Sequence, residues 1–318
     1  MKSAQINRYG SSDVIEINQS TSSSLTVSSG KILVDVKASG VNPVDWKIRE
    51  GYMQQMVPLQ FPATLGMDFS GIIKDVGSGQ DISTADLKQG DEVYGQASVT
   101  KGGSGAFAEV AVTNADNIAL KPKNLSFEEA AGLPLVGVSA WQALVENMNL
   151  SQGQKILIHG GAGGIGSVAI QFAKKLGAFV ATTVNSDDAD YVQSLGADET
   201  IDYKKHDFEK MINDYDAVYD TVGGQTYTKS FKALKKGGII VSMLEQPNTD
   251  LMQHFSVKSI FLLTQVNRER LTQLANWVDQ NNIMINIDKT FSLDETAKAL
   301  DYVKDVHPRG KVILEMKS

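Results

Sequence analysis

The stretch from Lys155 to Gly177 limits the possible folds of this chain more than any other. Lys155–His159 is a short apolar strand, and a glycine-rich turn, Gly161-x-Gly163-x-x-Gly166, follows it. Ile165, Ala169, Phe172, Ala173 and Leu176 then recur at helical spacing, with Gln171, Lys174 and Lys175 opposite and Gly177 as a stop. Strand, glycine turn and helix in that order suit a diphosphate. Glycines let the backbone turn sharply, let phosphates approach it, and let helix and strand pack closely. The helix N-terminus offers free N–H groups and a partial positive charge to the anion. Glycines also cluster in ordinary tight turns. Here the preceding strand and following helix supply the context that the dinucleotide reading requires.

A chain of 318 residues is long enough for two domains. Hydrophobic residues make up 42% and charged residues 21%, the balance of a soluble globular protein. A net charge of −7, without a lysine-rich run, argues against a nucleic-acid partner. The first ten residues lack the apolar core of a signal peptide, so a cytoplasmic protein is expected. The stretch Ala130–Leu144 comes nearest to a membrane span, but it is short and carries Gly132, Pro134 and Gly137. The absence of cysteine excludes disulfides, thiolate nucleophiles and cysteine-ligated zinc. His159, His206, His254 and His307 are scattered without metal-ligand spacing.

The chain is β-rich to about residue 122. Lys31–Val36, Phe69–Val76, Glu92–Tyr94 and Phe107–Val112 read as short strands between glycines, which suggests a barrel-like fold. Ser20–Ser29 reads as a solvated serine-rich turn. Ser126-Phe-Glu-Glu129 has the form of a capping box. After the glycine turn, strands alternate with helices: strand Phe179–Thr183, helix Asp187–Leu195, strand Glu199–Tyr203, helix Asp207–Ile212, strand Ala217–Val222, helix Gln225–Leu234 and strand Ile239–Met243. Such alternation builds a doubly wound parallel sheet, with the ligand beyond the carboxyl ends of the strands. A looser region follows: an amphipathic helix over Arg268–Gln280, a second capping signature at Ser292-Leu-Asp-Glu295 and a last strand at Lys311–Glu315. The expected division is a discontinuous β-rich domain over residues 1–122 and 265–318, around a dinucleotide-binding domain over 123–264.

Several motifs in sequence order carry a resemblance. They are Gly40-Val-Asn-Pro-Val-Asp-Trp-Lys-Ile-Arg49, Leu65-Gly-Met-Asp-Phe-Ser-Gly-Ile-Ile-Lys-Asp-Val-Gly77, Gly90-Asp-Glu-Val93 and Gly105-Ala-Phe-Ala-Glu-Val110. Ala130-Ala-Gly-Leu-Pro134, the glycine turn, Ser194-Leu-Gly-Ala-Asp-Glu199 and Arg309-Gly-Lys-Val312 continue them. Over nearly its whole length the chain resembles a zinc-free medium-chain dehydrogenase/reductase of the quinone oxidoreductase branch. The resemblance implies an α/β protein: a GroES-like β-barrel domain, discontinuous in sequence, plus a Rossmann domain. It also implies a homodimer. Zinc alcohol dehydrogenases of the wider superfamily carry a cysteine ligand where this chain has Asn42 and a histidine where it has Met67. Their third ligand falls in the region Gly132–Pro134, and their cysteine-rich lobe is absent between Val93 and Gly105. No metal is therefore expected. The expected reaction is hydride transfer to a small, already electrophilic acceptor, a quinone or an α,β-unsaturated carbonyl.

NAD sites place an acid at the end of the second strand, where it accepts hydrogen bonds from ribose. Here that position is Thr183, which does not repel an extra phosphate, so NADPH is expected. By resemblance Tyr203 follows the third strand, and Arg309 and Lys311 are basic residues that can reach that phosphate. Asp187 and Asp188 read as acids in a first helical turn; a longer strand would instead bring one of them to the ribose. The diphosphate is expected on Gly161, Ala162, Gly163, Gly164, Ile165 and Gly166. Val138 and Ser139 flank the nicotinamide by resemblance, and Gly223 and Gly224 pass beside the cofactor at the sheet edge.

On the acceptor side, Asn42 is a candidate donor to a carbonyl or to the nicotinamide amide, or simply a turn-former before Pro43. Tyr52 is a candidate donor or proton source, or a packing aromatic. Lys47 is a candidate hydrogen-bond donor, or a solvated charge. Asp45 and Asp68 read as structural, bonded to backbone or to Arg49. Phe61, Met53 and Phe261 are candidates for an apolar acceptor pocket. Two alternatives stay open: an enoyl-thioester reductase, and a non-catalytic NADPH-binding protein on the same fold.

Overall fold

The computed structural model describes residues 1–19, 27–56, 58–77 and 86–316. Most of the serine-rich stretch Ser20–Ser29 lies outside the described residues. The chain divides into two compact units, Met1–Leu135 with Val266–Ser318, and Val136–Gln265.

The first unit begins with β1 (Lys2–Ile6), β2 (Ile15–Gln19), β3 (Lys31–Val41), β4 (Ala63–Thr64), β5 (Asp68–Val76), β6 (Glu92–Gln96), β7 (Val110–Asn114) and β8 (Ile118–Leu120). The second contributes β9 (Lys155–His159), β10 (Phe179–Val184), β11 (Glu199–Asp202), β12 (Tyr215–Asp220), β13 (Leu234–Ser242) and β14 (Lys258–Phe261). The chain then returns to the first unit with β15 (Ile287–Ser292) and β16 (Lys311–Glu315).

In the first unit a three-stranded sheet, β2-β1-β4, accompanies a seven-stranded one, β15-β16-β3-β5-β6-β8, with β7 paired to β3. Alternate residues Ile32, Val34 and Val36 of β3 enter a core that includes Ile6, Phe69, Ile73, Phe107, Ile118 and Leu314. One edge of β3 follows β5 along its length. The other changes partner, from β7 over Lys31–Asp35 to β16 over Ala38–Val41. This exchange brings the ends of β16, β3, β5 and β6 side by side, with Val41 opposite Val312, Gly40 opposite Asp68, and Asp68 opposite Gln96.

The strand expected at Phe107–Val112 begins three residues later, at Val110. Phe107 turns instead toward the small sheet: its carbonyl accepts from Ala4 N and its N–H donates to Leu65 O. Phe127–Ala131 is helical, and Ser126 and Glu129 cap it reciprocally as their spacing predicts. Ser292 and Glu295 do the same ahead of the helix Thr296–Asp305. The expected Arg268–Gln280 helix runs to Asn281.

The second unit is a parallel sheet in the order β11-β10-β9-β12-β13-β14. From β9 the chain steps outward through β10 and β11, then crosses back to β12 and continues the other way. The order therefore reverses between β9 and β12, the switch point where ligands of such sheets bind. The glycine turn leaves β9 there and enters the helix Gly164–Lys175. The helix expected from Asp187 begins at Ala189, because Ser186–Asp188 closes as a short 3₁₀ turn. Among the described residues no helix is long and apolar enough to cross a membrane. Pro134 starts a new helix, Pro134–Trp141, inside the apolar Ala130–Leu144 stretch.

Candidate functional site

Two clusters carry chemistry, one in each unit. The first is the glycine turn. Gly163 N donates to Gly160 O and Ser167 N to Gly163 O, which leaves the N–H groups of Gly164, Ile165 and Gly166 without an intrahelical acceptor. These are the donors a diphosphate takes. A side chain at Gly161 would begin 2.1 Å from Thr182 Oγ1, and one at Gly166 would begin 2.2 Å from Gly160 O. Both glycines are thus packing requirements. At Gly163 the nearest atom is 3.5 Å away, so a side chain there would fit without displacing a neighbour.

Behind the turn lies His159, fully buried at the end of β9. Its Nε2 meets Ser230 Oγ at 2.9 Å and its Nδ1 meets Thr183 Oγ1 at 3.0 Å. Burial pushes the imidazole down to about 3. Thr183 also accepts from Gly160 N at 3.3 Å. Its hydroxyl is therefore engaged by His159 and Gly160 and braces the start of the turn. At the neighbouring strand end, Thr221 Oγ1 donates to His159 O at 2.8 Å. Asp220 accepts from the N–H groups of Val222 and Gly223 and from Ser242 Oγ, which shapes the loop after β12. Gly223 takes φ +79° there, and Gly224 N donates to Glu245. Val138 is fully buried, and Ser139 Oγ pairs with Thr264 Oγ1.

Beyond β10 and β11, Tyr203 is exposed. Beside it stands a small charged group that the sequence reading missed. Ser186 Oγ donates to Asp202 Oδ2 at 2.6 Å, and Lys205 Nζ lies 3.0 Å from Ser186 Oγ and 3.2 Å from Asp202. The Ser186 hydroxyl, then the Lys204 N–H, hold the Asp202 carboxyl down at about 2. Asp187 and Asp188 lie in the 3₁₀ turn past the end of β10, which stops at Val184.

The second cluster is the side-by-side strand ends of the first unit. Asn42, Asp45, Asp68, Gln96 and Lys311 are all buried there. Asn42 Nδ2 donates to Asp68 Oδ2 at 2.9 Å, and Asn42 Oδ1 accepts from Lys311 Nζ at 2.5 Å. Lys311 also donates to Val41 O. Asp68 receives Gln96 Nε2 at 2.8 Å and Leu135 N at 3.1 Å, and Asp45 Oδ2 accepts Asn42 N at 2.7 Å. Desolvation raises the Asp68 carboxyl and lowers the Lys311 ammonium, each opposed by the other's charge. Burial, assisted by Asp68, pushes the Asp45 carboxyl up to about 7 against the Asn42 N–H and Lys311; its Oδ1 has no hydrogen-bond partner. Lys101, half-buried and unforeseen, has its ammonium lowered by desolvation and feels the Asp68 charge.

Lys311, expected by resemblance near the phosphate, is buried, and its ammonium donates to Asn42 and Val41 of its own unit. Asp45 and Asp68 each accept from a backbone N–H, of Asn42 and Leu135, while Arg49 pairs with Glu50 and Asp301 instead. Arg309 is exposed in the turn before β16. Lys47 and Tyr52 meet at Trp46: the ammonium lies 5.6 Å from the indole centroid, and the phenol packs edge-on at 5.7 Å with 72% exposure. Phe61 packs edge-on against Tyr9.

A barrel-type unit and a doubly wound unit with an amide-lined turn at its switch point define a dinucleotide-dependent dehydrogenase/reductase. Residues 28–123 match the alcohol dehydrogenase GroES-like domain, and residues 195–314 match a zinc-binding dehydrogenase domain. A 2-methylene-furan-3-one reductase of Solanum lycopersicum is 35% identical over 99% of this chain and 79% of its own length. An NADPH-dependent alkenal/one oxidoreductase of Arabidopsis thaliana is 33% identical over the same shares. The quinone oxidoreductase of Coxiella burnetii superposes with a TM-score of 0.88 at 32% identity, over 100% of this chain and 99% of its own. That of Escherichia coli, complexed with NADPH, gives 0.86 at 26%, over 99% and 100%. The chain belongs to the medium-chain dehydrogenase/reductase family, among its quinone and alkenal oxidoreductases.

The zinc in the matched domain's description does not suit the residues found here. The positions in question hold an amide and a thioether, Asn42 is engaged by Lys311, and among the described residues no group of three or more His, Cys, Asp or Glu is placed to hold a metal ion.

Proposed function

We propose that this chain is an NADPH-dependent oxidoreductase that reduces quinones or α,β-unsaturated carbonyls. The observation that carries the reading is the set of unengaged amides at Gly164, Ile165 and Gly166, beside the β9/β12 switch point. The acceptor class is supported by the relatives' names, an alkenal/one oxidoreductase, a furanone reductase and a quinone oxidoreductase.

NADPH, when bound, supplies the hydride. The protein's own residues bind and orient. In this reading the turn from Gly161 through Ala162, Gly163 and Gly164 to Gly166 takes the diphosphate, with Gly223 and Val138 along the cofactor's path. Tyr203 and Lys205 serve the phosphorylated ribose, with Ser186 beneath them. Asn42 keeps one amide hydrogen beyond the one Asp68 holds, and directs it at an oxygen of the acceptor or the nicotinamide amide. A fixed donor aimed where negative charge develops is worth roughly two to three orders of magnitude in rate. Lys47 and Tyr52, paired on Trp46, are the proposed route for the proton that follows; Tyr52→Phe and Lys47→Met test it. The homodimer and the cytoplasmic setting belong to the same proposal, and light scattering on the purified protein checks the first.

The decisive experiment follows absorbance of the reduced cofactor with 1,4-benzoquinone, 9,10-phenanthrenequinone, 2-alkenals and crotonyl-CoA, in parallel with NADPH and NADH. Turnover of quinones or alkenals with NADPH is the expected result. Turnover of crotonyl-CoA alone would move the protein to the thioester reductases. Tight NADPH binding without oxidation above the blank would make it a non-catalytic binder.

A further inference from the structure

The order of the strands determines how the Asn42 side chain is held. A carboxamide has two nearly isosteric ends, and an unconstrained one flips between them. Around Asn42 the two partners have opposite and fixed characters. Lys311 is an ammonium at the start of β16 and can only donate. Asp68 is a carboxylate at the start of β5, and its three contacts are all N–H donors: Asn42 Nδ2, Gln96 Nε2 and Leu135 N. Flipping the amide would set NH₂ against ammonium and a carbonyl oxygen against carboxylate. One orientation therefore survives, with Oδ1 on Lys311 and one Nδ2 hydrogen on Asp68. The backbone of Asn42 is fixed as well, since its N–H donates to Asp45 Oδ2.

Packing holds the lysine in this arrangement. A side chain at Gly132 would begin 3.2 Å from Lys311 Cγ, so the glycine leaves the aliphatic stem its channel. Burying an ammonium and a carboxylate this deeply is poor economy for stability alone, because apolar residues of similar volume commonly do as well or better. An arrangement of this kind is suited to fixing an orientation.

We propose that Lys311 and Asp68 are positioning residues for the reaction: they lock the Asn42 carboxamide so that its second amide hydrogen is the single donor it presents. The inference rests on the reading of Asn42 given under the proposed function. It assigns Lys311 a role away from the cofactor's phosphates.

A double-mutant cycle tests it. The kcat for the best acceptor, the KM values and NADPH affinity are measured for the wild type, Asn42→Ala, Lys311→Met and the double variant. Asn42→Ala is expected to lower kcat about a hundredfold. Lys311→Met is expected to lower kcat at least tenfold with NADPH affinity within threefold of wild type, and to cost less than threefold in the Asn42→Ala background. Lys311→Gln, which can still donate to Oδ1, should recover most of kcat; should Lys311→Met fail to fold, Lys311→Ala takes its place in the cycle with the same expectation. Equal losses from the lysine change in both backgrounds would overturn the positioning role while leaving Asn42 in place. An Asn42→Ala variant with wild-type kcat would overturn the Asn42 reading and the inference with it. A loss of NADPH affinity larger than the loss of kcat would return Lys311 to the cofactor.

Discussion

The hydrogen bond between His159 Nδ1 and Thr183 Oγ1 runs in one direction only. Ser230 donates its single hydroxyl hydrogen to Thr226 O at 2.6 Å, so towards His159 it can only accept. His159 is therefore protonated at Nε2, and its bare Nδ1 accepts from Thr183. Thr183 keeps a lone pair for Gly160 N, the first amide of the turn. A neutral imidazole in one tautomer thus stands behind the proposed diphosphate cradle.

This fixes the sign of an acid effect. The native imidazole titrates near 3 and the unfolded one near 6.5, so between those values the unfolded chain binds the extra proton. The stabilisation is complete above pH 6.5 and is lost as pH falls toward 3. Urea unfolding from pH 7 to pH 4 should show a decline, on the order of a few kcal/mol. A His159→Asn variant, less stable at pH 7, should show a shallower decline. A variant with the wild-type slope would mean that other groups carry it.

Asp45 should act in the opposite sense. Its carboxyl is held near 7 when native and titrates near 3.8 when free, so between these values the native state binds more protons. Its contribution to stability is largest below pH 3.8 and falls as pH rises to 7. Asp45→Asn should therefore gain stability relative to the wild type as pH goes from 5 to 8. A constant difference across that range would show that Asp45 titrates alike in both states.

The glycines of the turn should separate packing from binding. Gly161→Ala must displace Thr182 Oγ1 and Gly166→Ala must displace the Gly160 carbonyl, so each should cost about 1–3 kcal/mol and lower Tm. Gly163 has φ −75° and no atom closer than 3.5 Å to an added Cβ, so Gly163→Val should fold normally. Its side chain projects where the phosphates would lie, and NADPH affinity should fall at least a hundredfold. Normal binding by Gly163→Val would show that the cofactor does not lie against this turn.

The glycine turn and the alternating strands were legible because local signals carry them: period, caps and breakers within a few residues. The buried cluster was not. Asn42, Asp68, Gln96 and Lys311 are far apart in sequence, and only the pairing of β16 with β3, β3 with β5 and β5 with β6 makes them neighbours. Lys311, taken with Arg309 alone, therefore reads only as a basic residue within reach of a phosphate. The strand-end position of Thr183 does not reveal that its hydroxyl faces His159. The sign that something lay at Asn42 was available: Asn42, Asp45 and Asp68 are short polar residues set among apolar neighbours such as Val41, Val44, Met67 and Phe69.

Lys205 offers the clearest test of coenzyme choice. Its side chain is 65% exposed, with the ammonium 3.2 Å from Asp202 and 3.0 Å from Ser186 Oγ, at the strand end where the proposed ribose lies. An exposed lysine held by one carboxylate and one hydroxyl can turn to a phosphate at little cost. Lys205→Ala should weaken NADPH binding about tenfold, the scale of one charge-assisted hydrogen bond at an exposed site. NADH, without the extra phosphate, should bind the variant as it binds the wild type. Raising salt should shrink the NADPH difference, because screening acts on an exposed pair. Titration calorimetry with both coenzymes at two ionic strengths reads all three outcomes, and equal losses for NADPH and NADH would place the phosphate elsewhere.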